Sequence, residues 1–280
     1  MIRSSTAALR GSAEPTPQPR LPGTDALHLW HASVRRSDAQ VARLERTLSR
    51  DERERAKRYA ASRDRRRFVV ARGLLRALLG RYLERDPASI AFDYGPAGKP
   101  ELVGVQNEAD LRFNLAHSGE VVLYAFVRGR RVGVDVEELR PLDDLEDLSR
   151  TVFSLRERDE LKAHPPSRRL RAFFDGWVRK EALVKASGDG LGADLEAAEV
   201  SLARSDGPLL RAAHGDDRAR APWTLLNVPI GPRYAAAVAV EGPHPPSSQG
   251  RLASRRSPPS RTHGIPIVHL RALDRATLAS

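Results

Sequence analysis

The chain has 280 residues, 40% of them hydrophobic, which suits about two ordinary domains or one larger one, and it has no cysteine. Disulfides, thiolate metal sites and cysteine nucleophiles are therefore excluded. No run approaches the roughly 20 consecutive apolar residues that span a bilayer, and Met1 to Thr24 lacks the apolar core of a signal peptide, so a soluble cytoplasmic protein is expected.

Residues 1–24 and 243–280 are rich in Pro, Ser and Arg, and are expected to be disordered tails. A patch at Ile265–Leu273 in the second could form a short helix or strand, or nothing. Between the tails, Leu27 to His31 alternates like a first strand. Ser37 or Asp38 could cap a helix carrying Val41 and Leu44. A longer helix is expected from Asp64, with Phe68, Leu75, Leu79 and Leu83 as its apolar stripe. Glycine and proline make Asp93 to Pro100 a loop. Three apolar runs, 111–115, 121–127 and 132–136, are separated by turns at Gly119 and Arg128-Gly129-Arg130, which predicts an antiparallel meander. Two or three helices occupy roughly 143–187, and strands at 223–228 and 234–240 close the body. This order predicts an α+β fold of two similar halves, although no close sequence repeat relates them.

The formal charge of +11 invites a nucleic-acid reading, but its distribution argues against it. Residues 1–24 carry +2 and residues 243–280 carry +5, which leaves +4 for the body. Within that body, residues 50–76 hold eleven Arg or Lys against four acids, while acids dominate 135–160. A nucleic-acid-binding module using 50–76 and the arginine-rich tails is the principal alternative, but no aromatic platform accompanies the basic run. A metal-dependent phosphohydrolase on the same carboxylates is a second alternative, without a further His/Asp cluster to support it.

Asp135 and Glu137 lie two apart at the end of an alternating run, and so share one side of a strand. Glu181 and Lys185 lie four apart in a strongly helical stretch, and so share one face of a helix. If the strand and helix pack together, three carboxylates and a lysine converge, as suits a hard divalent cation and a phosphate ester. Taken singly, each feature has a plainer reading. Asp135 and Glu137 could face solvent, Glu181 and Lys185 could be a surface pair, and His117 could be a hydrogen-bonded core histidine. Phe173, Phe174 and Trp177 read as core packing.

In order along the chain stand Gly98-Lys99-Pro100, Phe113-Asn114-Leu115-Ala116-His117-Ser118, Gly133-Val134-Asp135-Val136-Glu137, and Trp177 to Leu191 with its Trp-x-x-Lys-Glu-Ala core. Together they resemble the surfactin-type 4′-phosphopantetheinyl transferases. The resemblance implies a monomeric pseudo-dimer of two α+β halves, 25–129 and 130–242, with the active site in the cleft between them. It implies transfer of 4′-phosphopantetheine from coenzyme A to a serine of an acyl or peptidyl carrier protein, with release of adenosine 3′,5′-bisphosphate. It further implies magnesium, or manganese, on Asp135, Glu137 and Glu181. Glu181, or a metal-bound water beside it, could take the serine proton, and Lys185 could stabilise the leaving phosphate. Arg55, Arg67, Lys99 and His117 match positions that hold coenzyme A. No nucleic-acid or membrane partner is implied. Two departures stand out: Ala116 and Phe68 occupy places where many or some members carry hydroxyls.

Overall fold

The computed structural model describes residues 20–95, 98–188, 198–202, 209–213, 222–242 and 267–272. The tail positions 1–19, 243–266 and 273–280, and Pro96 and Ala97 of the expected loop, lie outside the described residues. Among the described residues, six α-helices accompany eleven strands, which form two main sheets and two small hairpins. Strand β1 (Leu27–Ser33) leads to helices α1 (Asp38–Arg46), α2 (Arg50–Lys57) and α3 (Ser62–Leu83). Ser37 caps α1 with a complete capping box, and Ser49 and Glu52 form another at α2, which the sequence reading had passed over. The loop expected at 93–100 is the bend of a small hairpin, β2 (Phe92–Tyr94) with β3 (Pro100–Leu102).

Strands β4 (Leu111–Ser118) and β5 (Val121–Arg128) pair antiparallel across a turn at Gly119, whose φ of 55° suits a residue without Cβ. The third run, β6 (Val132–Glu138), departs from the expected meander. Its ladder partner is β10 (Tyr234–Glu241), in a second sheet ordered β6-β10-β9, with β9 at Trp223–Asn227. A side chain links the two sheets: the buried Asn114 of β4 accepts the Val134 N–H through Oδ1 at 2.8 Å. Three helices follow, α4 (Leu145–Val152), α5 (Leu155–Ala163) and α6 (Pro166–Ser187), and then a hairpin of β7 (Ala198–Val200) with β8 (Leu210–Ala213).

The core explains how two sheets and two long helices stay together. Strand β5 is buried on both faces. Its Val122, Tyr124 and Phe126 pack with Leu74, Leu75, Leu78 and Leu79 of α3, while Leu123, Ala125 and Val127 meet Val134, Val136, Val238 and Val240 of the second sheet. Strand β10 repeats the arrangement: Ala235, Ala237 and Ala239 face α6, and the intervening residues face the first sheet. Small residues on the helix-facing side let α6 lie close. The closest approach is at Gly133, where a Cβ would stand 2.1 Å from the Ala182 carbonyl oxygen.

Strand β11 (Ile267–Ala272) runs parallel to β1 and completes the first sheet in the order β11-β1-β5-β4. Of the alternatives left open for Ile265–Leu273, a helix, a strand or neither, it is the strand. A mixed α/β fold is what the elements make.

Candidate active site

Gly133 sets the geometry of the site. Because α6 rests on the β6 backbone there, residues 133, 135 and 137, which share a strand face, all look toward α6. Lys185 reaches across, and its Nζ donates to Asp135 Oδ1 at 2.6 Å. Glu181, one turn earlier, turns to the same space. Arg55, Lys99, His117, Asp135, Glu137, Glu181 and Lys185 all line a single cavity of about 440 Å³. Seven of the eight residues singled out in the sequence thus meet in one place. Arg67 stands outside that lining and pairs with Asp64 at 3.3 Å, yet its charge reaches His117.

The carboxylates occupy unlike environments. Asp135 is buried, and desolvation pushes its pKa up to about 7 even though Lys185 pulls the other way. Its Oδ2 is buried without any hydrogen-bond partner. Glu181 is also raised, by burial first and by the neighbouring Glu137 charge, with Lys185 opposing. Glu137 is held differently: Ser118 Oγ donates to its Oε2 at 2.7 Å and accepts the Glu138 N–H at 3.0 Å. Among the described residues no three carboxylate or imidazole side chains form a ready metal cage, and Lys185 and Ser118 each hold an oxygen, of Asp135 and of Glu137. The donor set nevertheless fits a hard divalent cation. Three carboxylates line one cavity, and one carries an orphaned oxygen whose burial a cation would offset.

The same cavity also carries nitrogen groups. Burial lowers the pKa of His117, and the charges of Arg67 and Lys185 lower it further, so the imidazole is neutral near pH 7. Lys99 lines the cavity, but its ammonium also donates to the carbonyls of Lys185 at 2.8 Å and Val132 at 3.0 Å. It thereby ties the Gly-Lys-Pro loop to the carbonyl end of α6 and the start of β6, and burial lowers its pKa to about 8.

Phe68, one of the two departures, does not leave an empty place. Its ring lies under two guanidiniums, with Arg55 5.5 Å and Arg72 5.8 Å from its centroid. Arg72 was missed by sequence reasoning. It is buried in the cavity wall, also lies over Phe92 and Tyr94, and has a buried Nη1 without a hydrogen bond. Arg72 and Arg76, four apart inside the apolar run 69–79, were the available signal, since such arginines must find a partner. That partner is Glu52, at 3.5 and 2.6 Å. Asn114 and Ser118 were likewise quoted without a role, and they prove to hold β6 and Glu137.

The basic run 50–76 is not a free stripe. Arg65 pairs with Glu45, Arg66 with Asp38, Arg67 with Asp64 and Lys57 with Glu54, while Arg72 and Arg76 are internal. A larger cavity of about 520 Å³ lies on the other side of Lys99. Its lining includes two ion pairs, Arg112 with Glu101 and Arg131 with Glu241, beside Arg130, whose buried Nε finds no hydrogen-bond partner among the described residues.

Comparison with known proteins supplies the deciding observation. A family model described as 4′-phosphopantetheinyl transferase, N-terminal, matches residues 30–127, and one described as 4′-phosphopantetheinyl transferase superfamily matches 131–239. The 4′-phosphopantetheinyl transferase HetI of Nostoc sp. is 39% identical over 219 residues, covering 78% of this chain and 89% of HetI. The chain belongs to the 4′-phosphopantetheinyl transferase family. The 4′-phosphopantetheinyl transferase Sfp of Bacillus subtilis is 27% identical over 199 residues, covering 70% of this chain and 83% of its own. A solved structure, the holo-[acyl-carrier-protein] synthase of Thermotoga maritima, is 22% identical and covers 41% of this chain and 64% of its own, with a TM-score of 0.32 that carries no argument. The resemblance read from four motifs is thus borne out, and the enzyme is a 4′-phosphopantetheinyl transferase. The two family matches meet at the β5–β6 turn, where the chain passes from one sheet to the other. No helix among the described residues is long and apolar enough to cross a membrane.

Proposed function

We propose that this transferase moves 4′-phosphopantetheine from coenzyme A to a serine hydroxyl of an acyl or peptidyl carrier protein, with magnesium, releasing adenosine 3′,5′-bisphosphate. The observation that carries the reading is the lining of one cavity, which joins Asp135, Glu137, Glu181 and Lys185 with Arg55, Arg72, Lys99 and His117. Arg55, Arg72, Lys99 and His117 come from residues 25–129 and the other four from 130–242, which supports a reading of two halves meeting at the site.

In the balanced reaction the serine oxygen forms a bond to the phosphorus that carries pantetheine. The bond from that phosphorus to the bridging oxygen breaks, and the bisphosphate leaves with the electron pair. Asp135, Glu137 and Glu181 would hold the cation, which when bound supplies Lewis-acid neutralisation of the pyrophosphate. Lys185 lies beside these carboxylates, and its ammonium stabilises the charge that develops on the leaving phosphate. His117, Arg55 and Arg72 orient the nucleotide end, the guanidiniums offering planar forks to a terminal phosphate. Among the described residues Glu181 carries no hydrogen bond, which leaves a carboxylate oxygen to accept the serine proton, directly or through water.

The test is incubation of the full chain with coenzyme A, magnesium and an apo carrier protein. A gain on the carrier equal to one phosphopantetheinyl group is expected in its mass spectrum. An unmodified carrier, with several carrier classes tried, contradicts the reading.

A further inference from the structure

The pairing of β11 with β1 belongs to no part of the transfer site, and β11 itself lies beyond the residues that either family model matches. Strand β1 is seven residues long, Leu-His-Leu-Trp-His-Ala-Ser, without Lys, Glu, Asp or Pro. Exposed sheet edges are normally blunted by charge, proline or brevity, because their unpaired N–H and C=O groups accept any passing strand. None of these devices is present here. One side of β1 is taken by β5, from Ser33↔Val121 to His28↔Phe126. The other side is covered along Leu27 to His31 by residues 267–272, with a register shift between His28 and Leu29.

The occupant comes from far along the chain. Residues 242–266 separate β10 of the second sheet from β11, which joins β1 of the first. The C-terminal segment is otherwise rich in Arg, Pro and Ser, and Ile265 to Leu273 is where its β-branched and large apolar residues concentrate. The one segment suited to pair as a strand is the one that covers the unprotected edge.

We infer that the outer edge of β1 is a strand-docking surface whose resident occupant is 267–272, and that this segment is an edge guard. It keeps two copies of the chain from joining β1 to β1, antiparallel, into a continuous sheet. The inference does not depend on the transfer reaction, since no residue of the described cavity lies on β1 or β11.

The test uses the full chain carrying Val268→Pro and Leu270→Pro, which remove two N–H donors from β11 and leave the body untouched. Hydrogen exchange of the Leu27–His31 amides, measured in dilute solution, should accelerate about tenfold or more as the edge opens. Sedimentation over a rising concentration series should then show a dimer that the wild-type chain does not form. A synthetic peptide of residues 265–274, added in trans, should reverse both changes. Retained transfer activity, or for an inactive preparation an unchanged circular dichroism spectrum, verifies that the body is folded. Unchanged exchange, or faster exchange with no self-association at any concentration, overturns the inference.

Discussion

Two lysine–carboxylate pairs lie a little over one turn apart on α6, and they differ in how completely the protein closes them. Lys180 and Glu157 are both fully buried and 2.8 Å apart. Glu157 also accepts the backbone N–H groups of Ser154 and Val200 at 2.7 Å, and the Lys180 ammonium lies over the Phe153 ring. Lys185 and Asp135 are 2.6 Å apart, but the lysine is 32% exposed and Asp135 Oδ2 has no partner. A buried charge whose oxygens all end on the protein is architecture: this one joins α5, α6 and β7. A charge left open toward a cavity is available to a ligand.

Breaking the closed pair should produce the largest loss of stability. Lys180→Met strands the Glu157 charge in the core, and about 3–5 kcal/mol should be lost in a denaturant titration. Adding Glu157→Gln, which removes the stranded charge but keeps an acceptor for only one of the two backbone N–H groups, should recover part of it. A loss below about 1 kcal/mol would rank the pair with exposed surface contacts.

The open pair should respond the other way. Lys185→Met should cost less than half as much stability at pH 7, because Asp135 can hold a proton there instead. Transfer should fall by about 10²–10³ in kcat, as when one preorganised charge donor is removed. Equal stability losses for the two lysines, with activity retained in Lys185→Met, would erase the distinction.

Much of this contrast was legible before the fold was known, because spacing fixes which side chains share a face. Asp135 with Glu137, and Glu181 with Lys185, needed only strand and helix periodicity. The strands at 111–115, 121–127 and 132–136 needed only alternation. What spacing cannot give is partner choice across the fold. That Lys185 meets Asp135, that Lys99 ends on two carbonyls, and that β6 leaves the meander for β10 are all decided by tertiary contacts. The role of Phe68 was hidden because a missing hydroxyl in the sequence says nothing about a ring that carries guanidiniums. Strand β11 was only half legible, because a short apolar patch within Arg, Pro and Ser left helix, strand and neither all open.

A smaller effect sharpens the cationic side of the open site. His117 is neutral in the free protein, so binding a phosphate dianion beside it should draw a proton onto the ring. Coenzyme A should therefore bind more tightly as the pH falls from about 8 to about 6, with proton uptake measurable by calorimetry in two buffers of different ionisation heat. His117→Gln should abolish the uptake and weaken coenzyme A by about 1.5–3 kcal/mol, with little change for the analogue lacking the 3′-phosphate. Equal weakening of both ligands would remove His117 from the phosphate.

The central claim, that the unsatisfied Asp135 carboxylate waits for a cation, is tested most directly by thermal unfolding of wild type and Asp135→Asn with and without magnesium. Burial raises the pKa of Asp135 from its ordinary value to about 7, so its stabilising contribution is complete below the ordinary value and is lost as the pH rises through about 7. At pH 8 without magnesium, Asp135→Asn should melt above wild type, and the gap should close toward pH 5. Magnesium with coenzyme A should raise the melting temperature of wild type and leave the variant nearly unmoved. A variant that melts below wild type at pH 8, or a magnesium shift equal in both proteins, would contradict the account.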